Sequence, residues 1–389
     1  MPGYVRARGK RTDGSTKWQA RWRHPDDPSD RGRREKVFRA KREAERWLSE
    51  QDADAFRGTY TDPRRGDRPF RAVADAWRAS WVGLEPKTRA GYASILSAHL
   101  IPEFGDRRVS TITPERVEAY VRRLSDAGMK PGTVRSVYAA LRAALNTAVR
   151  LRMIAVNPCV GVKLPRAAKT PMLFLSPEQV RALAEGIDPH FRVLIYTAAY
   201  TGMRAGELGA LRRKRVDLLR GRLTVEEALK DLTGAKHLAS HERCLIFGPT
   251  KTHARRSIVL PGFLRDLLNE HLTASPGGPD DLVFTTTTGS PIRQTNFLKR
   301  NYKPAVRACL PAELHALRFH DLRHTCAALL IAQGAHPKAI QEILGHESIT
   351  MTLDQYGHLL PGLGDDLAAR LDAAHTSSAQ PSSNVVPIR

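Results

Sequence analysis

The chain has 389 residues, enough for two or three domains with separate cores. Lys and Arg total 62 against 40 Asp and Glu, a formal net charge of +22, so the expected partner is a polyanion, nucleic acid ahead of an anionic membrane surface. No run approaches ~18 consecutive apolar residues, and the N-terminus lacks the apolar stretch of a secretory signal. Cys159, Cys244, Cys309 and Cys326 form no CxxC pair, so membrane spans, structural zinc and disulfides are set aside and a reduced cytoplasmic protein is expected.

Residues 1–60 read as strands followed by a helix. "DGST" supplies a turn, and "TKWQARWRH" then alternates with period two. Trp18, Ala20 and Trp22 fall on one face; Lys17, Gln19, Arg21 and Arg23 fall on the other. "RREKVFRA" suits a further strand, giving a three-stranded sheet. "KREAERWLSEQDADAF" carries Ala44, Trp47, Leu48, Gln51 and Ala55 at helical spacing. The Trp face would rest on that helix and the arginine face would point outward. A solvated charged face is the plainer alternative, but Arg interleaved with Trp under so large a net charge favours DNA contact by Lys17, Arg21 and Arg23.

"TYTDPRRGDRPF" reads as a linker. Helical signals then run through residues 66–160, an all-helical domain. Thr113 is placed as an N-cap with Pro114 at the first helical position, and Val134, Val137, Leu141, Leu145 and either Ala148 or Val149 line the inner face of a long helix. A proline-rich linker is expected at 161–172, a mixed α/β domain at 173–375, and a disordered tail at 376–389. In the mixed domain "RLTVEEA", "CLIFGPTKT" and "RRSIVLP" are strand-like. The fold class is therefore mainly α with small β-sheets, in several domains.

The residues with chemical potential lie in this last domain. "TGMRAGEL" sets Arg204 before Glu207 at the start of a helix, a place suited to an anion. "GPTKTHARRSIVLP" puts Lys251 at the tip of a strand pair, with Arg255 and Arg256 close by. "FHDLRHT" puts His320 and Arg323 on one helix face. His320 and His324 have a spacing that suits a metal pair, but no HExxH glutamate or cysteine accompanies them, so no metal is expected. "LGHESITMTLDQYGHLL" adds His346 and Tyr356. By local pattern alone Tyr356 is a packed aromatic, since Ile349, Leu353 and Tyr356 form an apolar helical stripe.

Taken singly these signals are weak. Their order, Arg204, Lys251, His320-x-x-Arg323, His346, Tyr356, resembles the tyrosine recombinases, the phage-type integrases. The resemblance is specific from the linker onward. It covers the helical domain by architecture, and the N-terminal module more loosely, as an arm-site binding domain. Many members carry Ser where Gly206 stands; that position has no chemical role here.

The resemblance implies a site-specific recombinase that cuts and rejoins DNA through a 3′-phosphotyrosyl intermediate, integrating or excising a mobile element. Tyr356 would be the nucleophile. Arg204, Arg323 and His346 would stabilise the pentavalent phosphorane, His320 would shuttle the nucleophile's proton, Lys251 would protonate the leaving 5′ oxygen, and Glu207 would orient the arginines. The cationic cluster would favour the phenolate. DNA contacts are expected from Lys17, Arg21, Arg23, Arg255 and Arg256. No cofactor is implied. The implied partners are double-stranded attachment-site DNA at the bacterial nucleoid, a homo-tetramer on synapsis, and an accessory excision factor or host DNA-bending protein. The leucines Leu363, Leu367 and Leu371 suit either internal packing or docking on a neighbouring protomer. A type IB topoisomerase shares the catalytic set, and a non-enzymatic DNA-binding regulator is the third reading.

Overall fold

The computed structural model describes residues 3–12, 14–23, 33–57, 63–166, 171–232, 244–250 and 255–359, together with 368, 371–373 and 375. The chain divides into two compact units, the first ending at Lys169 and the second beginning at Thr170.

The first unit opens with strands β1 (Gly3–Lys10), β2 (Thr16–Arg23) and β3 (Arg33–Phe38), antiparallel in that order. The helix Lys41–Phe56 packs on one face. Ala20 and Trp22 are buried there, and Trp22 Nε1 donates to Asp52 Oδ1 at 2.6 Å, tying β2 to the helix. The opposite face departs from the expected row of free cations. Gln19 is buried, accepts from Arg6 Nε at 2.9 Å and donates to Glu35 at 2.6 Å. Arg21 stands opposite Glu35 in register and pairs with it at 2.5 Å, while also donating to the Tyr4 hydroxyl. Cross-strand pairing thus takes up Arg21; Lys17 and Arg23 stay exposed.

The rest of this unit is helical: Phe70–Ala79, Pro86–Ile95, Pro114–Asp126 and Pro131–Arg150. The Thr113 hydroxyl accepts from Arg116 N, capping the third of these. The long helix buries Val134, Val137, Leu141, Leu145 and Ala148, so the choice against Val149 falls to Ala148, with Ala140 and Ala144 between them. Trp77, Trp81 and Tyr92 interlock at ring separations of 5.1, 5.0 and 5.7 Å. Asn157 closes the domain, donating to Arg142 O and Asn146 Oδ1 and accepting from Cys159 N.

In the second unit the helix Arg192–Thr201 is buried along most of its length and packs against Pro177–Gly186, Gly262–Ala274 and Asp321–Ala332. Strands β4 (Val216–Asp217), β5 (Arg222–Val225) and β8 (Arg256–Val259) form one antiparallel sheet. Strands β6 (Glu227–Asp231) and β7 (Leu245–Pro249) form a separate pair. The helices Pro337–Leu344 and Ile349–Tyr356 follow.

That final helix keeps only Tyr356 of the expected stripe of Ile349, Leu353 and Tyr356. Ile349 and Leu353 are 37% and 42% exposed, whereas Thr352 and Tyr356 are both buried at 2%. The helix turns a Thr–Tyr face inward because polar partners wait there, described below. Of the tail leucines, Leu371 is exposed, and Leu363 and Leu367 lie outside the described residues. Among the described residues no helix is long and apolar enough to cross a membrane.

Leu141, fully buried in the long helix, has no polar duty. Leu141→Ala should destabilise the first unit by about 2–5 kcal/mol, from lost burial and the cavity left behind; thermal unfolding reads this directly.

Candidate active site

The site is assembled where four segments of the second unit converge. The helix Arg192–Thr201 stops at Gly202, whose φ of +62° is left-handed. A Cβ at Gly202 would lie 2.5 Å from Leu344 Cδ2, so both conformation and space require glycine. The reversal aims the Gly202 carbonyl at Arg323 and starts the short helix Ala205–Gly209 directly after Arg204.

Glu207 on that helix is 2% exposed. Its carboxylate accepts from Arg204 N at 2.9 Å and Arg204 Nη1 at 2.8 Å, and from Arg256 Nη1 and Nη2 at 3.1 and 2.6 Å. Burial alone would raise its pKa; the hydrogen bonds and charge of Arg256, then of Arg204, outweigh it and hold the carboxyl below the usual range. Arg256 was expected on DNA. Its fork is instead taken by Glu207 and its Nε donates to Ile343 O at 3.0 Å, leaving the side chain 10% exposed, so it belongs to the arginine shell. Gly206 also has a local reason: a Cβ there would lie 2.8 Å from the Leu229 carbonyl of β6, so a serine would press into the strand.

Arg323 sits on the helix Asp321–Ala332 and is 3% exposed. Its Nη1 donates to Gly202 O at 2.7 Å, and its Nη2 is buried with no hydrogen-bond partner among the described residues. Burial, then the neighbouring Arg204, lowers this guanidinium to about 10. Arg204 is more open, at 25% side-chain exposure, and its Nη2 reaches Gly345 O at 3.3 Å. His320 lies one turn before His324, their rings edge to face at 5.2 Å, and burial followed by Arg323 holds its pKa below the ordinary value.

His346 is 8% exposed, and its Nδ1 lies 2.8 Å from Thr352 Oγ1. Burial, then Arg323, Arg204 and Arg256, lower it to about 4. The imidazole is therefore neutral at pH 7. Its ring lies parallel to that of Tyr356, centroids 6.3 Å apart. Tyr356 packs among Cys326, Ala327, Ile331, Ile340 and Leu344. Its hydroxyl lies 2.8 Å from His324 Nδ1. Burial raises the phenol to about 12 despite the opposing pull of Arg323. The expectation that surrounding cations would favour the phenolate is thus reversed: removal from water outweighs one nearby guanidinium.

Arg204, Glu207, Arg256, Arg323, His346 and Tyr356 therefore share one site, with His320 at its edge. Lys251 lies outside the described residues. Arg255 is exposed and its Nε lies 3.8 Å from Glu226. Among the described residues no group of three or more His, Cys, Asp and Glu side chains is placed to hold a metal ion.

The phage integrase family matches residues 174–362, and the phage integrase N-terminal SAM-like domain matches 78–125. The integrase of Mycobacterium phage L5 is 30% identical over 329 residues, covering 80% of this chain and 83% of that protein. The chain belongs to the phage integrase family. A XerC-like tyrosine recombinase of Caldanaerobacter subterraneus is 28% identical, over 65% of this chain and 69% of its own. In fold, this integrase-family chain is similar to the Tn1549 transposon integrase in complex with transposon right end DNA (TM-score 0.67, 20% identity, 78% of this chain and 100% of that one). It is also similar to lambda integrase in a tetramer bound to a Holliday junction (TM-score 0.54, 20% identity, 88% and 96%).

One site residue of this family member escaped the motif reading. His324 was weighed only as a metal ligand and dismissed, yet it is the group on the Tyr356 hydroxyl. The spacing in "HDLRHT" could have pointed to it: His320 and His324 share one helix face, and either one can meet an inward tyrosine.

The buried histidines predict a pH response. His324 and His346 sit at about 4 in the fold against an ordinary value of 6.5, so below 6.5 the unfolded chain binds more protons. Stability should fall as pH drops from 6.5 towards 4. Thermal melts across that range should show a lower Tm at each step, and a shallower slope when both histidines are replaced by glutamine.

Proposed function

We propose that this tyrosine recombinase cuts DNA with Tyr356 and rejoins it through a 3′-phosphotyrosyl link, integrating or excising a mobile element. One observation carries the assignment of the site. Arg323 presents a buried guanidinium Nη2 with no acceptor among the described residues, next to the more open Arg204 and in the electrostatic reach of a buried tyrosine. A buried cation with an unused donor is costly unless an anion completes it. A phosphodiester does so, and its nonbridging oxygens gain charge in the phosphorane, where fixed donors are worth most.

The geometry supports the following roles. Arg323 and Arg204 each turn guanidinium donors to the nonbridging oxygens. His346, with Nδ1 on the Thr352 hydroxyl, keeps Nε2 for the same phosphate. Glu207 and Arg256 hold Arg204 in place. Oη of Tyr356 attacks phosphorus, the bond to the 5′ oxygen breaks, and the energy of the phosphodiester is kept in the new ester. A 5′ hydroxyl from another strand reverses the step, which is strand exchange without ATP. No cofactor is assigned a part.

The +22 charge supports double-stranded DNA as partner, with exposed Lys17, Arg23 and Arg255 on its phosphates. The lambda integrase tetramer on a Holliday junction supports a homo-tetramer at synapsis. An accessory excision factor or a DNA-bending host protein is part of the same reading. Plasmid relaxation without strand transfer between two sites would instead indicate a swivelling topoisomerase.

Tyr356→Phe should retain DNA binding and form no covalent adduct on a nicked suicide duplex carrying the element's own core site. An adduct from that variant places the nucleophile elsewhere. Lys251 remains the proton donor proposed from the family likeness. Lys251→Ala should cleave ordinary DNA slowly and recover much of its rate on a 5′-bridging phosphorothiolate, because a thiolate leaves with little acid help. Arg204→Ala, which loses charge stabilisation, should not be rescued. Equal rescue of both variants, or of neither, removes Lys251 from the role.

A further inference from the structure

We propose that His324, rather than His320, takes the proton of the Tyr356 hydroxyl as the phenol attacks DNA. The inference rests on the reading of Tyr356 as nucleophile and adds its base. His324 Nδ1 lies 2.8 Å from Tyr356 Oη, and the two residues are 4% and 2% exposed, so no bulk water competes for this contact. His320 makes no hydrogen bond to the phenol; its ring meets the edge of His324 instead.

The other side of the imidazole is also built for the task. His324 Nε2 faces Asp321 Oδ1 at 3.9 Å. Asp321 is 1% exposed and is locked by Arg318, whose Nε and Nη2 donate to it at 3.1 and 2.7 Å and whose backbone N–H does so at 2.6 Å. A carboxylate on that side favours the tautomer with hydrogen on Nε2. Nδ1 is then the lone pair that the phenol O–H points to, and the carboxylate stabilises the imidazolium as it forms.

The charged groups facing His324 are Arg318, His320, Asp321 and Arg323 from its own helix and the turn before it, with His346 and Tyr356 from the C-terminal segment. Burial first, then His320, hold the free imidazole at about 4, so it is neutral and able to accept. A phosphate arriving between Arg204 and Arg323 adds the negative charge that this cluster lacks, which raises the proton affinity of the imidazole. The phenol, raised to about 12 by burial, gains most from an acceptor in contact, because hydroxide is scarce at neutral pH.

The step balances. The Oη–H bond breaks and its proton passes to Nδ1; the Oη–P bond forms; the bond from phosphorus to the 5′ oxygen breaks, and that oxygen is protonated by Lys251. In religation the incoming 5′ hydroxyl gives its proton back to the neutral Lys251 amine as its oxygen bonds phosphorus, the Oη–P bond breaks, and Nδ1 returns its proton to the phenolate oxygen.

Two measurements test this. In the free full-length protein at pH 7, nitrogen NMR of labelled histidine should show His324 with bare Nδ1 and hydrogen on Nε2, and its signals should move in Tyr356→Phe. A hydrogen on Nδ1 overturns the proposal, because the phenol would then be the acceptor. This measurement needs neither a variant at 324 nor DNA. The second uses His324→Asn, whose amide keeps a hydrogen-bonding atom near the Nδ1 position but cannot hold the proton. Single-turnover cleavage of the nicked suicide duplex should fall on the order of 10²–10⁴-fold with DNA binding unchanged. The rate should rise with pH through the neutral range, and a more acidic fluorotyrosine at 356 should recover part of the loss. Cleavage by His324→Asn at the parental rate overturns the proposal and leaves Tyr356 as nucleophile; an adduct from Tyr356→Phe overturns the nucleophile itself.

Discussion

One buried carboxylate, Glu207, answers to three guanidiniums. It accepts hydrogen bonds from Arg204 and Arg256 and feels the charge of Arg323. Taking a carboxylate out of water costs several kcal/mol, and it is tolerated only when its oxygens are fully hydrogen-bonded. Here four N–H donors, one of them backbone, meet that requirement. The same arrangement leaves the cations in excess of the anion. A fold that packs arginines at this ratio has stored a demand for one more negative group, and Arg323 Nη2 marks where it is felt.

The arginine shell also fixes the histidine loop. Arg256 Nε donates to Ile343 O and Arg204 Nη2 to Gly345 O, so both hold the turn that precedes His346. Strand β8 thereby governs the C-terminal segment through a side chain, although β8 and Tyr356 are a hundred residues apart in sequence. The arginine cluster and the segment that carries His346 and Tyr356 share one network. A substitution at Glu207 would disturb both, through the loss of a buried pair.

The excess positive charge sets the protonation of everything nearby. His346 and His324 stay neutral because burial and the arginines both oppose a further cation. The phenol is the exception. Arg323 pulls its pKa down, but the apolar walls around it push harder. A phenol kept protonated and out of water is a poor nucleophile until something takes its proton, and the group in contact with this one is His324.

Periodicity in the sequence determined the sheet-and-helix start, the inner face of the helix Pro131–Arg150 and the Thr113 cap, because those depend on neighbours three to four residues away. Motif order brought Arg204, Arg323, His346 and Tyr356 to notice, since the weak signal of each gains weight only from its place in the series. It misplaced what depends on partners distant in sequence. Arg21 and Arg256 looked like free cations, and only register with Glu35 and the approach of Glu207 absorbed them. Ile349, Leu353 and Tyr356 read as one apolar stripe, yet of these the helix buries only Tyr356 and turns Thr352 inward beside it, because the hydrogen-bonding groups of His346 and His324 lie on that side. The choice of His324 over His320 on the phenol was likewise beyond the sequence. Both histidines lie on one helix face, and which of them the tyrosine meets is fixed only by how the helices Asp321–Ala332 and Ile349–Tyr356 pack.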